Sequence, residues 1–287
     1  MKNIVVITGA SSGFGQLFAM ELDSKLKSID EYWLIARNTD KMLETSKAMK
    51  TPCRIISLDL AKRENVKEVI KTVERYAYDC EDDVNIKMLI NCAGYGKLGS
   101  FATQDIEDVT GMIDVNITAL TCITRDLIPY MHKNSRIVNI ASAAAFLPQP
   151  DFAEYAATKS YVLSLSRALN VELRNKNIYV TAVCPGPAAT NFFNIAEQNA
   201  STPWYKRYFF ADPKKVVDKA IDELMSMADE AAMELEEVMP PESILNARAY
   251  KWDNSDNAIK VIISICNEEL GELKLSDVTK RLLTQVD

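Results

Sequence analysis

The sequence predicts a doubly wound α/β protein: a parallel sheet with helices on both faces, followed by an atypical, helix-rich C-terminal segment. Three observations carry this expectation. Over residues 1–185, short β-branched runs alternate with helical patterns, and strand, helix, strand repeated in this way implies parallel pairing through right-handed crossovers. Several runs, Ile4-Val5-Val6-Ile7 among them, are continuously apolar, as expected for strands covered on both faces. A glycine-rich turn follows the first run directly, at a strand end where such sheets hold their ligands.

The elements follow in order. Strands are expected at Asn3–Ile7, Tyr32–Ala36, Cys53–Leu58, Met88–Asn91, Arg136–Ile140 and Tyr179–Val183. Between them Gly13–Lys27, Asp40–Lys50, Lys62–Glu81, Ile106–Met131 and Glu154–Arg174 have helical length and spacing. Residues 187–212 are aromatic and irregular and read as a substrate lid. From Val217 the apolar positions step 217, 221, 224, 228, 231, 235 and 238, until Pro240-Pro241 stops the pattern. This predicts one helix over about Pro213–Met239. Its apolar seam suits either its own core or a coiled coil, with the first favoured. Beyond it lie a possible helix (Glu242–Lys251), a strand (Ile259–Cys266) and a last helix capped by Ser276. The expected division is a dinucleotide-binding domain over 1–228 and an extension over 229–287.

Composition limits the function. Hydrophobic residues make up 48% and charged residues 25% of 287, ordinary for a globular protein. A net charge of −7 argues against nucleic acid or an anionic membrane as the main partner. No signal-peptide pattern is read at Met1-Lys2-Asn3 and no stretch is long and apolar enough to span a bilayer, so a cytoplasmic location is expected. Six scattered cysteines without CxxC spacing fit free thiols. With one histidine, His132, neither a histidine-rich metal site nor a Ser-His-Asp triad is expected, and no metal is assigned.

The turn Thr8-Gly9-Ala10-Ser11-Ser12-Gly13-Phe14-Gly15 opens the first helix. Gly9 permits a tight turn with positive φ, small residues let the backbone approach a pyrophosphate, and the helix N-terminus offers unpaired N–H groups to that anion. Tyr155 and Lys159 are four apart, hence on one helix face, and none of the other tyrosines has such a lysine partner. Ser142 stands thirteen residues earlier, at a strand end.

Together with Asp59-Leu60, Asn91-Cys92-Ala93-Gly94, Asn116, Pro185-Gly186 and Thr190, these motifs resemble the short-chain dehydrogenase/reductase family, in its shorter-subunit branch. They run in the family's order over residues 8–190, about two thirds of the chain. The resemblance implies a Rossmann-type sheet and an NAD(P)-dependent oxidoreductase acting on a carbonyl or alcohol. It implies that Tyr155 exchanges a proton with the substrate oxygen. Lys159 would lower the tyrosine pKa and hold the nicotinamide ribose, Ser142 would bond the reacting oxygen, and Asn116 would anchor a water relay. Gly9, Ser11, Ser12, Gly13, Phe14, Gly15, Arg37, Asn38, Asp59, Leu60, Asn91, Ala93, Gly94, Tyr155, Lys159, Pro185, Gly186 and Thr190 would line the cofactor. A homodimer or homotetramer is implied as well.

The second strand's end bears on the nucleotide. A carboxylate near that point bonds the ribose 2′-OH in many dinucleotide sites, but here Ala36 is followed by Arg37-Asn38. A guanidinium suits a 2′-phosphate, so NADP is favoured over NAD, with Asp40 close enough to keep NAD open. Phe146, Leu147, Phe192, Phe193, Trp204, Tyr205, Phe209 and Phe210 suggest an apolar substrate. The alternative is a non-catalytic NADP-binding scaffold or sensor. An extended-branch epimerase fits the length and the glycine spacing less well. The sequence departs from the family after the lid, where the next strand-like run begins about 73 residues past Gly186. That departure bears on the usual tetramer interface and the C-terminal side of the substrate pocket.

Overall fold

The structure, a computed structural model, describes residues 1–80, 83–190, 192, 196 and 211–233, with side chains to Met225 in the last stretch. The chain divides into two compact units, Met1–Val217 and Asp218–Asp287. In the first, β1 (Lys2–Thr8), β2 (Glu31–Ala36), β3 (Cys53–Ser57), β4 (Val84–Asn91), β5 (Ser135–Ile140) and β6 (Ile178–Val183) form a sheet in the order β3-β2-β1-β4-β5-β6. Every neighbouring pair is parallel. The order reverses between β1 and β4, which opens a crevice at their carboxyl ends. The crossovers are α1 (Gly13–Lys25), α2 (Thr39–Ala48), α3 (Arg63–Asp79), α4 (Ile106–Ile113), α5 (Leu120–Leu127) and α6 (Ala153–Glu172).

One sheet face carries Ile4, Val6, Trp33, Ile35, Ile86, Leu89 and Ile137, which pack with Val66, Val69 and Val73 of α3 and Ile123 and Leu127 of α5. Side chains of this kind stabilise the fold by roughly 1.5–3 kcal/mol each when fully buried. At the β2–β3 edge the Arg54 guanidinium lies 5.2 Å from the Trp33 ring centre and 4.9 Å from that of Tyr76, and pairs with Glu31 at 3.2 Å.

Two elements differ from the sequence expectation. β4 starts at Val84, not Met88, because Asn85 is bonded within the sheet: its amide donates to Asn3 Oδ1 at 2.8 Å and its Oδ1 accepts from Ser135 Oγ at 3.0 Å. The helix expected over Ile106–Met131 is not uniform. A π-helical stretch, Asp114–Ala119, separates α4 from α5, and a 3₁₀ turn with Pro129 in its first positions ends the run at Tyr130. The π stretch surrounds Asn116, and such single-turn irregularities concentrate at functional sites.

Helix α7 (Pro213–Met233) starts where Asp212 Oδ1 accepts from Lys214 N at 2.9 Å, with Pro213 at the first helical position as helix starts favour. It passes Met227, in keeping with the heptad. The remainder of that pattern and everything expected over 234–287 lie outside the described residues, as do most of the lid residues: Phe193, Trp204, Tyr205, Phe209 and Phe210 among them. A parallel bridge joins Ala188 and Ala211, near the two ends of the segment expected as a lid.

Candidate active site

At the crevice, the backbone following β1 lies against the backbone following β4. Gly9 has φ +67°, and a Cβ there would sit 2.8 Å from Ala93 N, so the glycine is required twice over, by conformation and by contact. Ala93 N donates to Thr8 Oγ1 at 3.1 Å, tying the two loops together. Gly15 abuts the Gly9 carbonyl. Ser12 precedes α1 in an extended conformation without a capping side-chain bond, and the first turn holds no acid. The first N–H groups of α1 are therefore not claimed by a capping side chain, and the positive end of the helix dipole is left for an anion. A Cβ on Gly13 would meet the Thr190 methyl group at 3.8 Å, and one on Gly186 would meet nothing within 4 Å.

At the far side of the crevice Arg37 is exposed beyond β2. Asn38 Oδ1 caps α2 by accepting from Lys41 N at 3.0 Å, so one of its polar atoms is already engaged. Asp59 Oδ1 accepts from Ala61 N at 3.2 Å, and Leu60 is buried. Arg37 and Asp59 both act on the Tyr95 hydroxyl, whose pKa is raised chiefly by burial and next by Asp108. The Asn91 side-chain nitrogen is engaged within the protein, while its Oδ1 is buried without a hydrogen-bond partner. Its amide donates to Thr124 Oγ1 and Asn139 Oδ1, and Asn139 donates to Ser166 Oγ. That buried chain fastens β4 and β5 to α5 and α6.

Ser142, Tyr155 and Lys159 come together as their spacing predicts. Ser142 follows β5 and caps a 3₁₀ turn, its Oγ accepting from Ala144 N at 3.1 Å, and its side chain acts on the Tyr155 hydroxyl. Ala143 N donates to Pro185 O at 2.9 Å, which draws the Pro185-Gly186 turn alongside. On α6, Lys159 Nζ lies 5.7 Å from the Tyr155 ring centre and donates to Ile140 O at 2.7 Å. Tyr155 is 8% and Lys159 5% exposed. Burial pushes the Tyr155 hydroxyl up to about 12, against a lowering by Ser142, and pushes the Lys159 ammonium down to about 8. The Lys159 ammonium bonds a backbone carbonyl, Lys159 is not among the causes acting on the Tyr155 hydroxyl, and desolvation is the largest cause of the shift in each group.

The ring of Tyr155 is walled in. Phe152 stacks on it with centres 4.3 Å apart, and Phe192 tilts against it at 5.3 Å. A Cβ on Gly96 would come within 2.7 Å of both the Phe152 and Tyr155 rings. Leu98, Met112 and Ala144 complete this apolar cluster. Cys184 is buried beside it, its thiol pushed up to about 12 by desolvation. Cys92 is half-buried.

Asn116, 1% exposed, grips the Tyr95 backbone from both sides: Oδ1 accepts from Tyr95 N at 3.0 Å and Nδ2 donates to Tyr95 O at 2.9 Å. Nδ2 also donates to Thr158 Oγ1 at 3.0 Å. A Cβ on Gly94 would stand 2.9 Å from Asn116 Oδ1 and 3.4 Å from Lys159 Nζ. Sequence reasoning missed Tyr95, Gly96, Phe152 and Thr158. The glycine spacing 94, 96, 99 was the available signal for the loop; nothing in the sequence marked Thr158. His132 sits exposed at a turn after the 3₁₀ segment.

Among the described residues no group of histidine, cysteine and carboxylate side chains is arranged to hold a metal, and no helix is long and apolar enough to cross a membrane. Residues 3–200 match the short chain dehydrogenase family. An uncharacterised oxidoreductase of Staphylococcus epidermidis is 30% identical over 191 residues, covering 66% of this chain and 79% of the relative. Among solved structures, a short-chain dehydrogenase from Sphingobium yanoikuyae in complex with NADPH has a TM-score of 0.67 at 25% identity, covering 88% of this chain and 99% of that one. A bulky-bulky ketone specific alcohol dehydrogenase from Comamonas testosteroni has a TM-score of 0.62 at 26% identity, covering 84% and 98%.

Proposed function

The chain belongs to the short-chain dehydrogenase family, and from this we propose that it is an NAD(P)-dependent oxidoreductase interconverting a carbonyl compound and its alcohol, with Tyr155 as the proton-exchanging group. The observation that carries the proposal is the meeting of Ser142, Tyr155 and Lys159 beside a glycine cradle whose helix N-terminus has no capping side-chain bond. Solved relatives in complex with NADPH and with NADH support a nicotinamide cofactor, and Arg37 just beyond β2 supports NADP as the preferred nucleotide. When bound, a nicotinamide supplies or takes up the hydride.

The chain's own residues do the rest. The first N–H groups of α1, with Ser11, Ser12 and Gly13, would bind the pyrophosphate. Arg37 and Asn38 would hold the adenosine end beside Asp59, and Pro185, Gly186 and Thr190 would border the nicotinamide. Ser142 and Tyr155 would converge on one substrate oxygen. Tyr155 gives that oxygen a proton in reduction and takes it back in oxidation. Lys159, at a pKa of about 8, can hold or release a proton near neutral pH, and would help hold the nicotinamide ribose. The Phe152–Tyr155–Phe192 wall excludes water and favours an apolar substrate. Absorbance at 340 nm, followed for a panel of ketones and aldehydes with NADPH and NADH, tests the reading. Cofactor consumption that depends on the carbonyl is expected, and tight cofactor binding with no turnover across the panel would favour the sensor alternative.

A further inference from the structure

Thr158, between the tyrosine and lysine of the proposed pair, is 0% exposed, and both of its hydrogen bonds have a fixed direction. A carbonyl can only accept, so the one hydroxyl proton goes to Tyr155 O, at 2.7 Å. The oxygen is then left to accept from Asn116 Nδ2, at 3.0 Å. The Asn116 amide is fully assigned in turn: one N–H goes to Tyr95 O, the other to Thr158, and its oxygen accepts from Tyr95 N. A one-way chain of bonds therefore runs from the Tyr95 backbone through Asn116 and Thr158 to the carbonyl of Tyr155. Its two ends converge again on the far side, where the backbone at Gly96, next to Tyr95, leaves no room for a Cβ against the Tyr155 ring. The loop after β4 thus holds Tyr155 by its ring on one side and, through Asn116 and Thr158, by its backbone on the other.

We infer that Thr158 is a positioning residue for the proton-exchanging tyrosine: its hydroxyl locks the π-helical stretch around Asn116 to the turn of α6 that carries Tyr155 and Lys159. This rests on the reaction proposed above. The hydroxyl touches no reacting atom. Its loss would leave Asn116 Nδ2 buried with an unused proton, which such an amide relieves by turning. The Tyr95–Gly96 loop would then slacken and the phenol would move relative to Ser142 and Lys159. Valine keeps the shape of threonine without the hydroxyl; serine keeps the hydroxyl without the methyl group.

The test compares Thr158→Val and Thr158→Ser with the wild type in the NADPH-loaded protein. Turnover is read as kcat and KM against pH, and the Tyr155 phenol is titrated by ultraviolet difference absorbance, with Tyr155→Phe as the blank that assigns the signal. Thr158→Val should lower kcat at least tenfold, leave NADPH affinity within about twofold, and displace both the pH profile and the phenol titration. Thr158→Ser should restore all of them. Should the valine variant prove too unstable to purify, Thr158→Ala is read in the same way. A valine variant that titrates and turns over like wild type overturns the inference, as does a serine variant that fails as valine does. If the wild type turns over no carbonyl, the titration still decides: a phenol shifted in Thr158→Val and restored in Thr158→Ser upholds the positioning role while the proposed reaction falls.

Discussion

Tyr155 and Lys159 are moved in opposite directions by one cause. Each is neutral when uncharged by its own chemistry, a phenol and an amine, and burial favours that form in both. The stability consequence of Lys159 can be isolated. Between about pH 8 and 10.5 the unfolded chain holds the lysine proton and the folded protein has lost it, so the contribution of Lys159 to stability rises with pH. Below pH 8 the folded protein carries a buried ammonium at a cost on the order of 3 kcal/mol. Lys159→Met should therefore stabilise the cofactor-free protein near pH 7, and the advantage should shrink as the pH rises through 8 towards 10. The difference in denaturation midpoint between the two proteins checks this and cancels groups that Lys159 does not act on, such as the Cys53 thiol, whose raised pKa makes stability fall with pH in both. A mutant no more stable than wild type at pH 7 would show that the ammonium is better solvated than its burial implies. Arg37 is the other residue whose role can be weighed alone. Arg37→Ala should weaken NADPH binding by about 1–3 kcal/mol, the scale of a charge-assisted bond, and leave NADH binding nearly unchanged. Calorimetric titration with both nucleotides checks it, and equal losses for the two would remove the case for a 2′-phosphate contact.

At the scale of elements, the joint between β1 and β4 sets the cofactor cradle. Gly9→Ala combines a positive φ with a backbone overlap at Ala93, neither of which a side-chain rotation relieves. The strained conformation alone is worth roughly 1–3 kcal/mol. The variant should lose at least that much stability by chemical denaturation and bind NADPH weakly even while folded; a variant of wild-type stability would contradict the contact. The six strands were legible in the sequence because each is a β-branched apolar run bounded by turn residues. The start of β4 was not, since Asn85 and Lys87 break the apolar pattern while Asn85 finds its partners on Asn3 and Ser135, 82 and 50 residues away. The π-helical stretch was equally hidden: helical spacing over 106–131 is preserved through it, and only the side-chain bonds of Asn116 to Tyr95 and Thr158 reveal why it is there.

For the whole molecule, a parallel sheet reversing order between β1 and β4 gathers the turn after β1, the Asn91–Gly94 loop, Ser142 and the Pro185-Gly186 turn at one edge. Motifs up to 180 residues apart in the sequence thus become one site. The proposed trio was legible because its chemistry needs fixed residue types at fixed spacing. Its surroundings were not, because Phe152 against Tyr155 and Thr158 against Asn116 are matters of packing and hydrogen-bond direction that no spacing encodes. The proposed reaction rests on Tyr155, and Tyr155→Phe tests it most directly. The substitution keeps the ring between Phe152 and Phe192 and removes only the hydroxyl, so NADPH should bind as it does to wild type. Carbonyl-dependent NADPH oxidation at 340 nm should fall by roughly two orders of magnitude or more in kcat, the usual worth of a positioned proton donor. A phenylalanine variant that binds NADPH and turns over at a rate close to wild type would contradict the account.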